Sequence, residues 1–161
     1  MLAISSIIKS YIAGFLDGDG CIMFQLVKRK GYIYGFQIRA SIVFYQNSKH
    51  KKHLSWLKDI FQVGYLRNRS DNMSEYTIVG LKPVIKILKL LKPYLKLKSQ
   101  HVILANKINK LLSQERSLIN FIKAAELVDQ FAEINYSKKR INTSEVLKNY
   151  LRQQKLYPRN D

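Results

Sequence analysis

The chain has 161 residues, of which 47% are hydrophobic and 24% are charged, and this composition predicts a folded globular protein. Lysine and arginine total 28 against 11 aspartates and glutamates, which gives a formal net charge of +17 at pH 7. An excess of this size favours nucleic acid as the partner over a membrane surface. The single cysteine, Cys21, excludes an intramolecular disulfide, and no signal peptide or membrane-spanning run is evident, so we expect an intracellular protein.

The first element predicted along the chain is a helix. Apolar residues over 4–15 recur at spacings of three and four, which places them on one helical face. Ser5 or Ser6 is expected to cap the N-terminus, and Gly18 with Gly20 to end the helix.

Two pairs of strands and further helices follow. Strands are predicted over 21–29, 34–46, 65–69 and 74–80, and helices are predicted around Leu54 to Phe61, after Pro83, and near 96–112, 117–134 and 143–154. Strand pairs that alternate with helices indicate an α+β fold. We expect one domain over 1–161, with a helical tail from about 117.

The second strand alternates between apolar and polar side chains. Phe36 and Ile38 fall on one face, whereas Gln37 and Arg39 fall on the other. Arginine and glutamine hydrogen-bond base edges, and a β-ribbon fits the major groove of DNA. An ordinary solvated face is the alternative for any single residue. The polar residues predicted to lie with Arg39 are Gln25, Arg29, Arg67, Arg69, Glu75 and Thr77.

Asp17 and Asp19 are acids in an otherwise basic chain. Two carboxylates beside a DNA surface weaken binding unless a cation intervenes, and Mg²⁺ binds one or two carboxylates together with phosphate and water. Such an ion activates water for phosphodiester hydrolysis. A plain turn is one alternative. A calcium loop is excluded because Cys21 and Lys28 stand where that loop requires oxygen ligands.

The segment IAGFLDGDG, residues 12–20, resembles the LAGLIDADG signature of homing endonucleases. VGYLRNR, SEYTIVGLKP, PYLKLK, VDQ and SKKRINTSE are similar to the single-motif homodimeric branch found in chloroplast group I introns, and the resemblance covers about 6–151. It implies an αββαββα fold with a curved antiparallel DNA-binding sheet. It also implies a homodimer that cuts both strands of a long pseudo-palindromic duplex and leaves short 3′ overhangs. An organellar location is expected, in the chloroplast rather than the mitochondrion.

The resemblance further implies the catalytic residues. Asp19 and the backbone carbonyl of Gly18 correspond to the metal ligands, with Mg²⁺ as the ion, Mn²⁺ as a substitute, and Ca²⁺ binding without cleavage. Gln46 and Lys98 match the surrounding catalytic residues. The family usually has arginine where this chain has His50, so either His50 or the adjacent Lys51 takes that role.

Two larger sets follow from the same resemblance. The residues expected to contact DNA are Gln25, Arg29, Tyr32, Gln37, Arg39, Ser41, Lys51, Arg67, Arg69, Glu75, Thr77, Lys138 and Lys139. The residues expected at the dimer interface are Tyr11, Ile12, Ala13, Gly14, Leu16 and Asp17, although Asp17 is also interpreted as structural.

Two other functional classes are alternatives. One is an intron maturase, which binds RNA as a splicing cofactor, and the other is a DNA-binding module with an inactive site. Asp19, Gln46 and Lys98 are all present, which favours the nuclease. Only the histidine at position 50 favours the DNA-binding module with an inactive site.

Overall fold

The computed structural model describes residues 4–114, 116–136 and 140–157. The elements in chain order are α1 (Ser6–Asp19), β1 (Gly20–Lys28), β2 (Phe36–Asn47), a 3-10 turn (Ser48–His50), α2 (Lys51–Phe61), β3 (Tyr65–Asn68), β4 (Met73–Val79), α3 (Leu81–Leu91), α4 (Ser99–Ser113), α5 (Leu118–Ile134) and α6 (Ser144–Gln153). This order confirms the predicted α+β fold and its αββαββα core.

The first helix, α1, carries both acids of the motif in its last turn. Its N-terminus is capped by Ser5, whose hydroxyl accepts a hydrogen bond from the backbone N–H of Ile8 at 3.3 Å. The structure confirms the predicted end of the helix, since Gly20 is its C-cap residue. The helix continues through Gly18 to Asp19, and the N–H of Gly20 closes it on the carbonyl of Leu16. Glycine weakens a helix by only about 1 kcal/mol, which tertiary contacts override.

The four strands form one sheet in the order β1-β2-β4-β3. β2 pairs antiparallel with β4 from Ser41↔Val79 to Asn47↔Met73, and β3 pairs with β4 from Tyr65↔Thr77 to Asn68↔Ser74. One face of β2 and β4 is mostly apolar and buried, with Ile42, Phe44, Tyr76 and Ile78 in the core, and it ends in the polar pair Gln46 and Ser74. The other face presents the polar positions that the alternation predicts.

Two compact units make up the chain: Met1–Ile22 with Ala40–Val102, and Met23–Arg39 with Ile103–Asp161. In the first unit, α2 contacts β3 and β4, and α3 contacts β4 and α1. The assignment of the whole chain to one domain stays a prediction.

The second unit holds the predicted helical tail. Phe24 stacks on Phe131 with ring centroids 4.7 Å apart. The carboxylate of Asp129 accepts the backbone N–H of Ser144 at 2.9 Å and 3.2 Å, which fixes the start of α6. In the described part of the chain, no helix combines the length and apolarity needed to cross a bilayer.

A buried tyrosine provides a test of the packing in the first unit. The Tyr76 hydroxyl donates to the Val63 carbonyl at 2.6 Å, and burial raises the pKa of Tyr76. Tyr76→Phe leaves that carbonyl without its donor, so we expect the free energy of unfolding to fall by about 1 kcal/mol in urea denaturation. Tyr65→Phe, on the exposed side of β3, is the matched control. Equal losses in both variants would contradict the prediction.

Candidate functional site

The carboxylate of Asp17 ties the end of α1 to the segment between α3 and α4. Its Oδ2 accepts the backbone N–H groups of Lys96 at 2.7 Å and Leu97 at 3.2 Å. Its Oδ1 accepts the N–H of Lys98 at 3.0 Å. Hydrogen bonds to an ionised carboxylate are stronger than neutral ones. Asp17 is therefore occupied within its own chain and fixes the backbone that carries Lys98.

Lys98 brings a positive charge to the end of α1. Its Nζ donates to the backbone carbonyl of Asp17 at 2.6 Å. A helix C-terminus carries partial negative charge, and the last turn of α1 contains two carboxylates and no basic residue. Lys98 thus partly offsets a negative site in a basic protein.

Asp19 is the last residue of α1, and its side chain is exposed. The Asp19 carboxylate forms no hydrogen bond or ion pair with any described residue. Gly18 is also exposed, and its carbonyl lies in the final helical turn, where intrahelical donors run out. These two oxygens are available to a cation.

The donor set fits magnesium. Among the described residues, no group of three or more histidine, cysteine or acidic side chains could hold a metal ion. The described part of the chain therefore holds no cluster of the kind that a closed zinc site requires. Magnesium commonly binds one carboxylate and completes its shell with water and phosphate oxygens, which suits Asp19 and Gly18.

Gln46 and His50 lie at the far end of β2 and in the turn that follows. The Gln46 Oε1 accepts the backbone N–H of Asn47 at 2.8 Å, so its amide NH₂ remains as a donor. His50 is exposed and caps α2 without a side-chain hydrogen bond, and Lys51 is half-buried. No hydrogen bond within the described ranges joins these side chains to Asp19. Lys98 is therefore hydrogen-bonded to the C-terminal end of α1, whereas Gln46, His50 and Lys51 are not.

Two arginines of the β3–β4 hairpin are held by acids. Arg67 Nη1 lies 3.7 Å from Glu75 Oε1, and Arg69 Nη2 donates to Asp71 Oδ2 at 2.8 Å. Glu75 pairs with Arg67 on one side and with Tyr45 on the other. Burial, followed by the charges of Cys21 and Glu75, raises the pKa of Tyr45. This row presents guanidinium and phenol groups on the polar face.

Ser41 and Thr77 are also on that face, but they are only 3% and 4% exposed. Their expected solvent exposure was wrong, because β2 and β4 are the two central strands and short side chains there lie beneath their neighbours. Base contact by either residue stays a prediction and requires neighbouring side chains to move.

The second unit carries the remaining predicted DNA contacts. Gln25, Arg29 and Tyr32 are exposed, and Gln37 and Arg39 are half-exposed. The backbone N–H of Arg29 donates to Gly35 at 2.9 Å, which closes the base of the loop that presents Tyr32. Lys138 and Lys139 lie outside the described residues.

Arg140 has a different role from its basic neighbours in sequence. Its Nη1 donates to the carbonyls of Phe24 and Val128, each at 3.0 Å. A sequence that places arginine beside two lysines predicts a surface cluster, whereas this guanidinium is a structural tie between β1 and α5.

The structure corrects the predicted dimer residues. Ile12, Ala13 and Leu16 are fully buried within this chain, so their assignment to the interface was wrong. Their helical face is needed for the core of their own unit. The exposed stripe on α1 instead consists of Ile7, Ser10, Tyr11, Gly14 and Gly18. The three- and four-residue spacing of this stripe was readable in the sequence.

Aromatic side chains flank that stripe and were not predicted. The ring of His53 stacks on Trp56 at 5.3 Å between centroids, and its Nε2 lies 3.3 Å from the Tyr11 hydroxyl. With Ile7 and Ile8 they line a cavity of about 370 Å³. Burial lowers the pKa of His53, which makes the neutral imidazole the favoured form.

Comparison with known proteins identifies the family. The family model described as LAGLIDADG endonuclease matches residues 12–113. DNA endonuclease I-CreI from Chlamydomonas reinhardtii is 36% identical over 139 residues, which cover 86% of this chain and 85% of that protein. DNA endonuclease I-CvuI from Chlorella vulgaris is 33% identical over 143 residues, 89% of each chain.

Solved structures agree with this result. The homing endonuclease I-CvuI, in complex with its target in the presence of calcium, matches with a TM-score of 0.86 and 32% identity, over 91% of this chain and 94% of that chain. This chain therefore belongs to the LAGLIDADG endonuclease family. The match confirms the family predicted from residues 12–20 and its enzyme class, a site-specific homing endonuclease.

The contacts of Asp17 generate a test of its structural role. Asp17→Ala removes the acceptor of three backbone N–H groups, so we expect the free energy of unfolding to fall by about 2–3 kcal/mol. Asp59→Ala, which removes an exposed carboxylate from α2, is the matched control and should change little. Denaturant titration of both variants gives the comparison. A loss for Asp17→Ala no larger than that for the control would contradict the role.

Proposed function

We propose that this protein acts as a homodimer that binds a long pseudo-palindromic duplex and hydrolyses one phosphodiester in each strand. The observation that carries the proposal is the carboxylate of Asp19 at the end of the motif helix, which is exposed and has no hydrogen-bond or ion-pair partner among the described residues. Support comes from I-CvuI, whose structures hold DNA targets in the presence of magnesium or calcium.

Each residue near the helix end has a chemical role in this proposal. Asp19 and the Gly18 carbonyl would hold a divalent ion. When bound, Mg²⁺ supplies an activated water and stabilises the leaving oxygen. We expect Mn²⁺ to substitute and Ca²⁺ to bind without supporting cleavage.

The neighbouring side chains act on the phosphate and the water. The Lys98 ammonium, held at the end of α1, stabilises charge that develops on the phosphate. The Gln46 amide orients the attacking water. His50 or Lys51 supplies the further positive charge that an arginine usually provides in this family. Among these groups Lys98 has the firmest support, because its backbone and its Nζ are both bound to Asp17.

DNA recognition is assigned to the polar side chains of the sheet. Arginine and glutamine read base edges, and the lysines at 138 and 139 contact phosphates. The ion pairs of Arg67 and Arg69 orient their guanidinium groups before DNA arrives. Exposed pairs contribute little to stability, so orientation is their main effect.

Dimerisation is assigned to the exposed stripe of α1. Gly14 and Gly18 carry no side chain, and a Cβ built on either would meet nothing within 4 Å in its own chain. Two such helices can approach closely. A two-fold dimer with one site per protomer matches a pseudo-palindromic duplex and places one Asp19 at each strand, with short 3′ overhangs as the product.

The host compartment and the alternative classes follow from the same comparison. Relatives from Chlamydomonas and Chlorella support an organellar, chloroplast location. The inactive module has only His50 in its favour, and the free carboxylate of Asp19 favours the nuclease over a maturase.

The metal role of Asp19 is tested by removing its charge. Asp19→Asn keeps the shape of the side chain but loses the anionic ligand, so we expect cleavage to fall by about a thousandfold or more while DNA binding persists. Asp59→Asn is the matched control. Cleavage assays with magnesium and gel-shift titrations with calcium give the two readouts. Near wild-type cleavage by Asp19→Asn would remove it from the metal site.

The dimer assignment is tested at Gly14. A Cβ added there meets nothing within 4 Å in its own chain, whereas a leucine side chain blocks the approach of a second helix, so Gly14→Leu should sediment as a monomer and lose double-strand cleavage. Lys110→Leu, on α4, adds a similar side chain away from the stripe. Circular dichroism checks that both variants keep their helices. A dimeric Gly14→Leu protein would contradict the assignment.

A further inference from the structure

A buried serine lies between the turn that follows Gln46 and the hairpin that carries Arg67 and Arg69. Ser74 on β4 is opposite Gln46 on β2 and opposite Asn68 on β3. Residues directly opposite in a sheet point to the same face. Ser74 is fully buried, so its hydroxyl requires partners within the protein.

The direction of the hydrogen bonds follows from the chemistry of the groups. Ser74 Oγ lies 3.2 Å from Asn68 Oδ1, an oxygen that can only accept, so Ser74 donates its single proton there. Ser48 Oγ lies 2.8 Å from Ser74 Oγ. Because the Ser74 proton is already used, Ser48 must be the donor in that pair. The chain of donors therefore runs from Ser48 through Ser74 to Asn68.

A second contact holds the same two segments together. The backbone N–H of Ser48 donates to the carbonyl of Asn72 in the β3–β4 turn at 2.9 Å. Ser48 begins the 3-10 turn that ends at His50. The turn next to Gln46 is thus joined to the hairpin by one backbone bond and one side-chain bond, both through Ser48.

We propose that Ser48, Ser74 and Asn68 are positioning residues that couple base recognition by the β3–β4 hairpin to cleavage. The coupling rests on the proposed function, since it assumes that Gln46 and His50 act in hydrolysis. When Arg67 and Arg69 bind matching bases, Asn68, which lies between them in sequence, does not move. The hydrogen bonds from Ser48 through Ser74 to Asn68 then keep the 3-10 turn in its position relative to the hairpin. A mismatched base shifts the hairpin and, through the same bonds, the turn.

The burial of Ser74 supports a specific role over simple packing. A hydroxyl without a partner at a fully buried position costs about 1–3 kcal/mol, whereas an alanine of nearly the same size carries no such penalty. Serine at this position is therefore favoured only because its hydroxyl is hydrogen-bonded within the protein. Loss of Ser48 or Asn68 leaves this buried hydroxyl with one hydrogen bond instead of two.

The test compares variants that break or keep the donor chain. Ser48→Ala and Ser74→Ala remove it, Ser48→Thr retains the hydroxyl, and Ser113→Ala removes an exposed serine at the end of α4. Each is assayed for binding and for single-turnover cleavage of the cognate duplex and of duplexes altered at the base pairs facing the β3–β4 hairpin. Amide hydrogen exchange at Ser48 is measured in the same proteins without DNA.

We expect Ser48→Ala and Ser74→Ala to bind the cognate duplex within about twofold of wild type but to cleave it about three- to tenfold more slowly. Their cleavage should discriminate less between cognate and altered duplexes, and the Ser48 amide should exchange faster. Ser48→Thr and Ser113→Ala should behave like wild type.

Three results distinguish failure of the hydrogen-bond chain, of the coupling and of the proposed function. Unchanged exchange at Ser48 in Ser74→Ala overturns the donor chain. Faster exchange with equal slowing on every duplex overturns the coupling and leaves only a structural contact. Failure of the wild-type protein to cleave any duplex overturns the proposed function, and the exchange result then decides the donor chain alone.

Discussion

The three hydrogen bonds accepted by the Asp17 carboxylate are the constraint from which the site is built. A carboxylate at a helix C-terminus is electrostatically unfavourable, and here three backbone N–H groups and the nearby Lys98 ammonium offset that cost. The same bonds hold α1 in helical form to its last residue despite Gly18. The carboxylate of Asp17 is fully engaged by these bonds. The carboxylate of Asp19 is exposed and bonds to none of the residues that the structure describes.

Charge is distributed in opposite senses at the helix end and on the sheet. The chain as a whole has a formal charge of +17, which attracts a duplex, whereas the end of α1 is locally negative and attracts a cation. A phosphate can approach that end only with a cation between the two. On the hairpin, Glu75 and Asp71 do not cancel the basic surface but hold two arginines in fixed directions.

The order of elements was predictable because period-two and period-3.6 patterns are strong over most of the chain, and Ser5 and Gly20 mark the ends of α1 by local chemistry. Three features were not predictable. The hydrogen bonds of Asp17 join it to residues about eighty positions away in the sequence. The dimer face was misassigned because buried and exposed stripes of α1 both contain apolar residues. Ser74 gives no signal in the sequence, since its role depends on the register of three strands.

The most direct test of the proposed nuclease is cleavage of a randomised duplex library by the purified protein, with magnesium and with EDTA. We expect double-strand cuts at a small set of near-palindromic sites, only when magnesium is present, with short 3′ overhangs. Selective retention of particular duplexes without any cut, in magnesium as in EDTA, would contradict the proposal, because the exposed Asp19 carboxylate would then have no hydrolytic role.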